Sequence, residues 1–213
     1  MWTKRHHSLA TILLFWGGSL VAHPVAYKGA WSFMAFNQPD MQDWQLLYSV
    51  ARKFSLGVNY IHDTMEGADR YFLIPRVSWL VNRWNGKDYQ ANIYVYGGIG
   101  IAKKNALNEV AGEAAIEADY ETRKVYFSGK ASAVVAKGFD TLAIYQLRAG
   151  FAPYEGGYDE IQAWLIAQAQ YLPFAKSEPV RVGPVVRIFY RNVLTEMGVS
   201  AQGTWNFNFM VHF

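Results

Sequence analysis

In the stretch AGEAAIEADYET, residues 111 to 122, the carboxylates Glu113, Glu117 and Asp119 recur on alternate positions, with Glu121 next in line. Even spacing of this kind puts all four on one face of a β-strand, whereas on a helix they would scatter. Cations occupy the same kind of position elsewhere: Arg76 in FLIPRVSW, Lys130 in FSGKAS, Arg148 in YQLRAGF, and Arg181 and Arg187 in VRVGPVVRIF. If these faces meet in a common interior, one wall is acidic and the rest basic. The resulting transverse field orders water and favours small polar or zwitterionic solutes. The alternative use of the same residues is mutual ion pairing that fills and closes the interior, with Lys130 opposite Glu117 or Asp119.

Three further chemistries are spelled out less fully. His62-Asp63-Thr64 offers a base for nucleophilic catalysis, with Ser177 and Ser200 in loops at the same end, but the spacing brings neither serine to the imidazole. His62 is therefore a weak candidate for a general base, and no catalytic residue is assigned. His23 and His212 are weak candidates for a metal pair at the chain ends, so no metal or other cofactor is expected. Tyr94, Tyr96 and Tyr126, on the polar faces, are either stacking platforms for sugars or fillers with a polar tip.

The elements that must position these groups are strands. After residue 22 no apolar run is long enough for a membrane-spanning helix, and period-2 segments recur instead. One parity carries, for example, Leu46, Tyr48 and Val50, then Leu56, Val58 and Tyr60, then Val125, Phe127 and Ala131, with Tyr27, Trp31 and Phe33 in the first segment. Links such as NQPD, HDTMEGAD, KGFD, PYEGGYD and SAQG separate the segments with turn residues. The count is twelve strands, or ten if weak neighbours merge.

The front end reads differently. MWTKRHHS is basic, LATILLFW is apolar and GGSLVA is small, the layout of a secretory signal that ends at Ala22. The expected mature chain, residues 23–213, is one domain. Without Lys4 and Arg5 the 20 basic residues become 18 against 17 acidic ones, which excludes a basic nucleic-acid surface. Absence of cysteine excludes disulfides and thiolate chemistry. Aromatics make up 16% of the chain while mean hydropathy is −0.04, a pairing that fits a chain with one face in oil and the other in water.

The aromatics also cluster by level. Phe54, Tyr89, Tyr120, Phe151, Tyr190 and Phe213 fall at one strand end, and Trp44, Tyr60, Tyr71 and Tyr171 at the other, as two membrane girdles would. The last residues, WNFNFMVHF, alternate aromatics and stop on Phe213. With the signal segment, the alternation and the girdles, residues 26 to 213 resemble the outer-membrane β-barrels of Gram-negative bacteria. That resemblance implies an all-β, up-and-down antiparallel transmembrane barrel in the outer membrane. It also implies lipid as a partner and a terminal strand read by the barrel-insertion machinery. The function expected is a narrow passive pore for small polar solutes or ions, the second reading is a closed structural or partner-binding barrel, and a third, implied by the resemblance, is a lipid hydrolase or acyltransferase using His62. Short outer loops, with no evident plug, favour the pore.

Overall fold

The structure, a computed structural model, describes residues 24–213. The expected signal segment and His23 lie outside the described residues. Twelve strands follow one another: β1 Trp31–Gln38, β2 Met41–Ala51, β3 Phe54–Asp63, β4 Arg70–Asn85, β5 Tyr89–Lys104 and β6 Leu107–Thr122. The second half is β7 Val125–Ala136, β8 Leu142–Phe151, β9 Gln162–Tyr171, β10 Val180–Tyr190, β11 Val193–Val199 and β12 Trp205–His212. Each strand pairs antiparallel with its chain neighbour, and β1 pairs with β12 from Ser32↔His212 to Asn37↔Phe207, so the sheet is a closed barrel. Closure matters because an unpaired backbone edge in hydrocarbon costs several kcal/mol per group.

The alternation decides which face is which. Ile99, Val110, Leu147 and Met197 are 74, 68, 69 and 66% exposed, whereas Asn59, Arg76 and Arg187 are 0, 3 and 6% exposed. Apolar outside and polar inside is the inverse of a water-soluble domain, and it is the arrangement hydrocarbon selects. Tyr27, read as part of the first strand, instead lies in the turn ahead of Trp31. The turn at HDTMEGAD is also shorter than its letters suggest, because His62 and Asp63 remain in β3 and a 3-10 turn at Met65–Gly67 makes the bend.

Aromatic pairs mark both outer rims. Trp44 lies 5.9 Å from Tyr60, and Tyr145 6.1 Å from Tyr171. At the opposite rim Phe54 stacks on Trp79 at 6.0 Å and Tyr89 on Tyr120 at 5.5 Å. Phe151, Tyr190 and Phe213 are exposed on the same outer face, and Tyr71 stacks on His62 at 4.2 Å. On the inner side Gly98 of β5 allows close approach to β4: a Cβ there would stand 1.8 Å from the Pro75 carbonyl oxygen.

The interior has three levels. Towards the β1–β2, β3–β4 and β7–β8 turns it is apolar, built by Ile61, Phe72, Ile74 and Val134 and by Met65 and Leu172 from the connecting loops. Phe139 closes on Phe72 edge to face at 6.3 Å. The short loops therefore do supply a plug, contrary to the expectation from their length: they are anchored by inward-facing apolar side chains rather than extended over the mouth. At the opposite end the segment before β1 folds into the opening. Val25 is buried against Leu80 and Tyr94, and Ser55 Oγ donates to the Pro24 carbonyl at 2.8 Å.

Candidate functional site

The charged side chains of the middle level occupy inward positions of β2, β4, β6, β7, β8, β10 and β11, and most are engaged in ion pairs inside the barrel. Arg76 on β4 pairs with Glu113 on β6 through Nε at 3.0 Å and through Nη2, and its Nη1 donates to Gln45 Oε1 at 2.6 Å. Asn59 Nδ2 donates to the same carboxylate at 3.2 Å. The guanidinium also lies 4.5 Å from the Tyr96 ring centroid. The first member of the acidic row is thus fully engaged.

The basic wall does not face that row. Arg187 on β10 donates from Nε to Glu196 Oε1 at 2.6 Å, and Arg148 on β8 from Nη2 to Glu196 Oε2 at 2.8 Å. Asn208 Nδ2 adds a third donor at 2.8 Å. One carboxylate on the short strand β11 therefore holds two guanidiniums, and Arg187 rests 4.3 Å above the Tyr126 ring. Arg181 turns towards the outer mouth, where it meets Asp40 at 2.5 Å and Gln38 Oε1 at 2.6 Å. Near that mouth Arg70 pairs with Asp63 and donates to the Asp140 carbonyl at 2.7 Å. At the other end Arg83 and Asp119 share Asn92, at 2.6 Å each.

Sequence reasoning placed the arginines on the correct face but missed Asp40, Glu178 and Glu196 as their partners. Parity alone would have turned Glu196 inward, between outward Val193 and Met197; Asp40 and Glu178 sit in turns, where alternation carries no signal. Tyr96 and Tyr126, read either as sugar platforms or as fillers with a polar tip, lie under Arg76 and Arg187. Tyr94 is buried and accepts a hydrogen bond from Arg83 at 3.1 Å.

Lys130 is the exception among the lumen cations. It stands in register with Glu117 across β6 and β7, yet no carboxylate lies within 4 Å of its ammonium among the described residues. Its Nζ is 5.6 Å from the Phe36 ring centroid and 5.7 Å from that of Tyr96. Around it lies a chamber of about 110 Å³ bordered by Asp43, Glu117, Lys130, Arg148, Arg187 and Glu196, among others. That is well above the roughly 10–15 Å³ needed to admit one water, so the chamber has room for several, and its polar lining keeps it wet.

The remaining candidates lie apart from this chamber. His62 projects from the outer face, where Nε2 is 3.0 Å from Asp69 Oδ1. The hydroxyl of Ser177 donates to Glu66 Oε1 at 2.9 Å and that of Ser200 to Glu178 Oε1 at 3.0 Å, so both serines have other partners. His212 is buried with Nδ1 2.6 Å from Ser32 Oγ, and its Nε2 has no partner among the described residues. No group of three or more potential metal ligands occurs among the described residues.

Glu66 lies outside the membrane-spanning strands, and hydrogen bonds from the Ser177 amide and hydroxyl hold its carboxyl below the usual carboxylate range. A depressed native pKa contributes stability above the unfolded pKa and loses it as pH falls through the native one. The tie between the β3–β4 and β9–β10 loops should therefore weaken in acid, below roughly pH 4. The protection factor of the Ser177 amide, measured by hydrogen exchange, should drop there. Glu66→Gln should make it independent of pH.

A closed twelve-stranded antiparallel barrel with an apolar outer belt and a hydrogen-bonded polar interior defines an outer-membrane β-barrel, and this chain is one. No protein-family model matches the chain, and no curated sequence matches it. Among solved structures it is similar to the KdgM porin in complex with disordered oligogalacturonate, with a TM-score of 0.51 at 8% identity over 86% of this chain and 98% of that one. A second structure of KdgM porin matches with a TM-score of 0.45 at 12% identity over 86% of this chain and 98% of that one. The β domain of the Bordetella autotransporter BrkA matches with 0.44 at 13% identity over 87% and 98%. At these identities the likeness is one of fold.

Proposed function

We propose that this barrel is a narrow, gated pore for small polar solutes or ions, with Arg76, Glu113, Glu117, Asp119, Lys130, Arg148, Arg181 and Arg187 setting the character of its lumen. The observation that carries the reading is the wet chamber lined by both signs of charge, with an apolar collar between it and the outer mouth. An apolar constriction of this kind excludes water and ions until it widens. Met65 and Leu172 belong to the collar but stand on connecting loops. Withdrawing both into water costs roughly 3–6 kcal/mol at about 1.5–3 kcal/mol each, so the shut form is the resting one. A similar fold serves as a porin in the KdgM complex.

Purified protein in a planar bilayer should give infrequent, small openings. Phe139→Ser, which removes the edge-to-face partner of Phe72 from a loop rather than a strand, should raise the open fraction severalfold. No current from either protein above the lipid baseline overturns the pore. The second reading, a closed structural or partner-binding barrel, is favoured by the complete pairing of Arg76, Arg148, Arg181 and Arg187, and it would then stand. Under either reading Phe213 and the aromatic face of β12 are proposed to be the signal for the insertion machinery.

A further inference from the structure

Across an antiparallel pair, directly opposite residues have Cβ atoms about 4.5–5.5 Å apart, and opposite charges there ordinarily close into an ion pair. Glu117 and Lys130 occupy such positions, but their charged ends remain more than 4 Å apart. Lys130 is drawn across the lumen towards the rings of Phe36 and Tyr96, and both residues border the 110 Å³ chamber. The carboxylate of Glu117 has no hydrogen-bond donor among the described residues.

The charged residues on the chamber wall otherwise balance: Lys130, Arg148 and Arg187 against Asp43, Glu117 and Glu196. A net-charged solute would therefore bring an uncompensated charge into the barrel interior, and a neutral one would leave the Glu117–Lys130 gap unbridged. A second feature points to a polar guest. Arg148 Nε, Gln168 Oε1 and Asn206 Nδ2 belong to chamber-lining residues and have no hydrogen-bond partner among the described residues, and the Gln168 residue is only 8% exposed.

We infer that the chamber binds a small zwitterion of amino-acid size, its ammonium on Glu117 and its adjacent carboxylate on Lys130, so that the ligand completes the ion pair the two strands leave open. The inference rests on the pore reading only in that the solute must reach the chamber. An ammonium and a carboxylate on one carbon present opposite charges side by side, which suits two cross-strand side chains of opposite charge that do not touch each other.

Three molecules on one three-carbon skeleton test this: L-alanine, L-lactate, which lacks the ammonium, and 2-amino-1-propanol, which lacks the carboxylate, read by ligand-observed saturation-transfer NMR on detergent-solubilised protein. Alanine should bind at least about tenfold more tightly than either analogue, as loss of one charge-assisted contact implies. Glu117→Gln should remove the preference for alanine over lactate, and Lys130→Met the preference for alanine over 2-amino-1-propanol. Retention of the heat-modifiable gel shift shows that each variant is a folded barrel. Equal binding of all three, no alanine signal, or preferences unmoved by both substitutions overturns the inference. Alanine binding without bilayer current would remove the pore and keep the site; current without alanine selectivity would keep the pore and remove the site.

Discussion

Glu196→Gln should destabilise the barrel by about 3–5 kcal/mol, the cost of removing one partner from a buried ion pair. Glu196 is 2% exposed and accepts from Arg148, Arg187 and Asn208 at 2.8, 2.6 and 2.8 Å. The guanidiniums themselves are buried, at 9 and 7% side-chain exposure. Glutamine has nearly the same shape, so packing is conserved and only the charge goes. What remains is two cations turned towards one neutral amide, without the carboxylate that held them apart in a defined geometry. The measurement is the urea midpoint of reversible unfolding in lipid vesicles, with m compared to confirm that the same surface is exposed.

The double variant Glu196→Gln with Arg148→Gln should recover a substantial part of the loss, because one of the two uncompensated charges is then removed. A double-mutant cycle expresses that recovery as a coupling energy. The result also bears on the lumen. A loss below about 1 kcal/mol is what a solvent-exposed pair gives, and it would mean that water already screens these groups through an open channel.

Why the outward and inward sets were legible while the partnerships were not follows from what alternation encodes. Strand parity is local: Val125 and Phe127 face one way and Tyr126 and Ser128 the other, whatever lies across the barrel. Membership of the lumen set for Arg76, Arg148, Arg181 and Arg187 needed nothing more. Partners on strands that are not neighbours, Glu113 for Arg76 and Glu196 for Arg148, depend on how the strands are tilted and staggered when the sheet closes, and period-2 alternation contains no record of that. Arg187 and Glu196 stand directly opposite in the β10–β11 hairpin, so counting back from its turn could have paired them. The plug was hidden for a related reason. Ile61, Phe72, Ile74 and Val134 stand on the polar parity, where apolar letters interrupt the alternation and read as noise. Four such interruptions gathered near one end of their strands were the available signal.

Ile116→Arg should cost a further 2–4 kcal/mol, roughly, and by a different mechanism. Ile116 lies midway along β6, opposite Val95 on one side and Ala131 on the other, and it is 52% exposed on the outer face. In a water-soluble barrel an arginine at a half-exposed position of a strand changes stability by a few tenths of a kcal/mol. In a bilayer the guanidinium must either leave water or drag water and headgroups inward, and the penalty depends on depth. Tyr120 provides the internal control: it is on the same face of the same strand, stacked on Tyr89 at the rim, so Tyr120→Arg puts its charge within reach of the headgroups. Its electrostatic cost should fall to about 0–1 kcal/mol. Unfolding free energies of both variants in vesicles, taken as a difference, cancel the change in strand propensity that arginine brings to either site. A difference near zero would mean that the middle of the belt does not contact hydrocarbon. A gap of about 2 kcal/mol or more ties the apolar parity to the bilayer core and leaves the opposite parity as the only wet surface the membrane-embedded wall possesses.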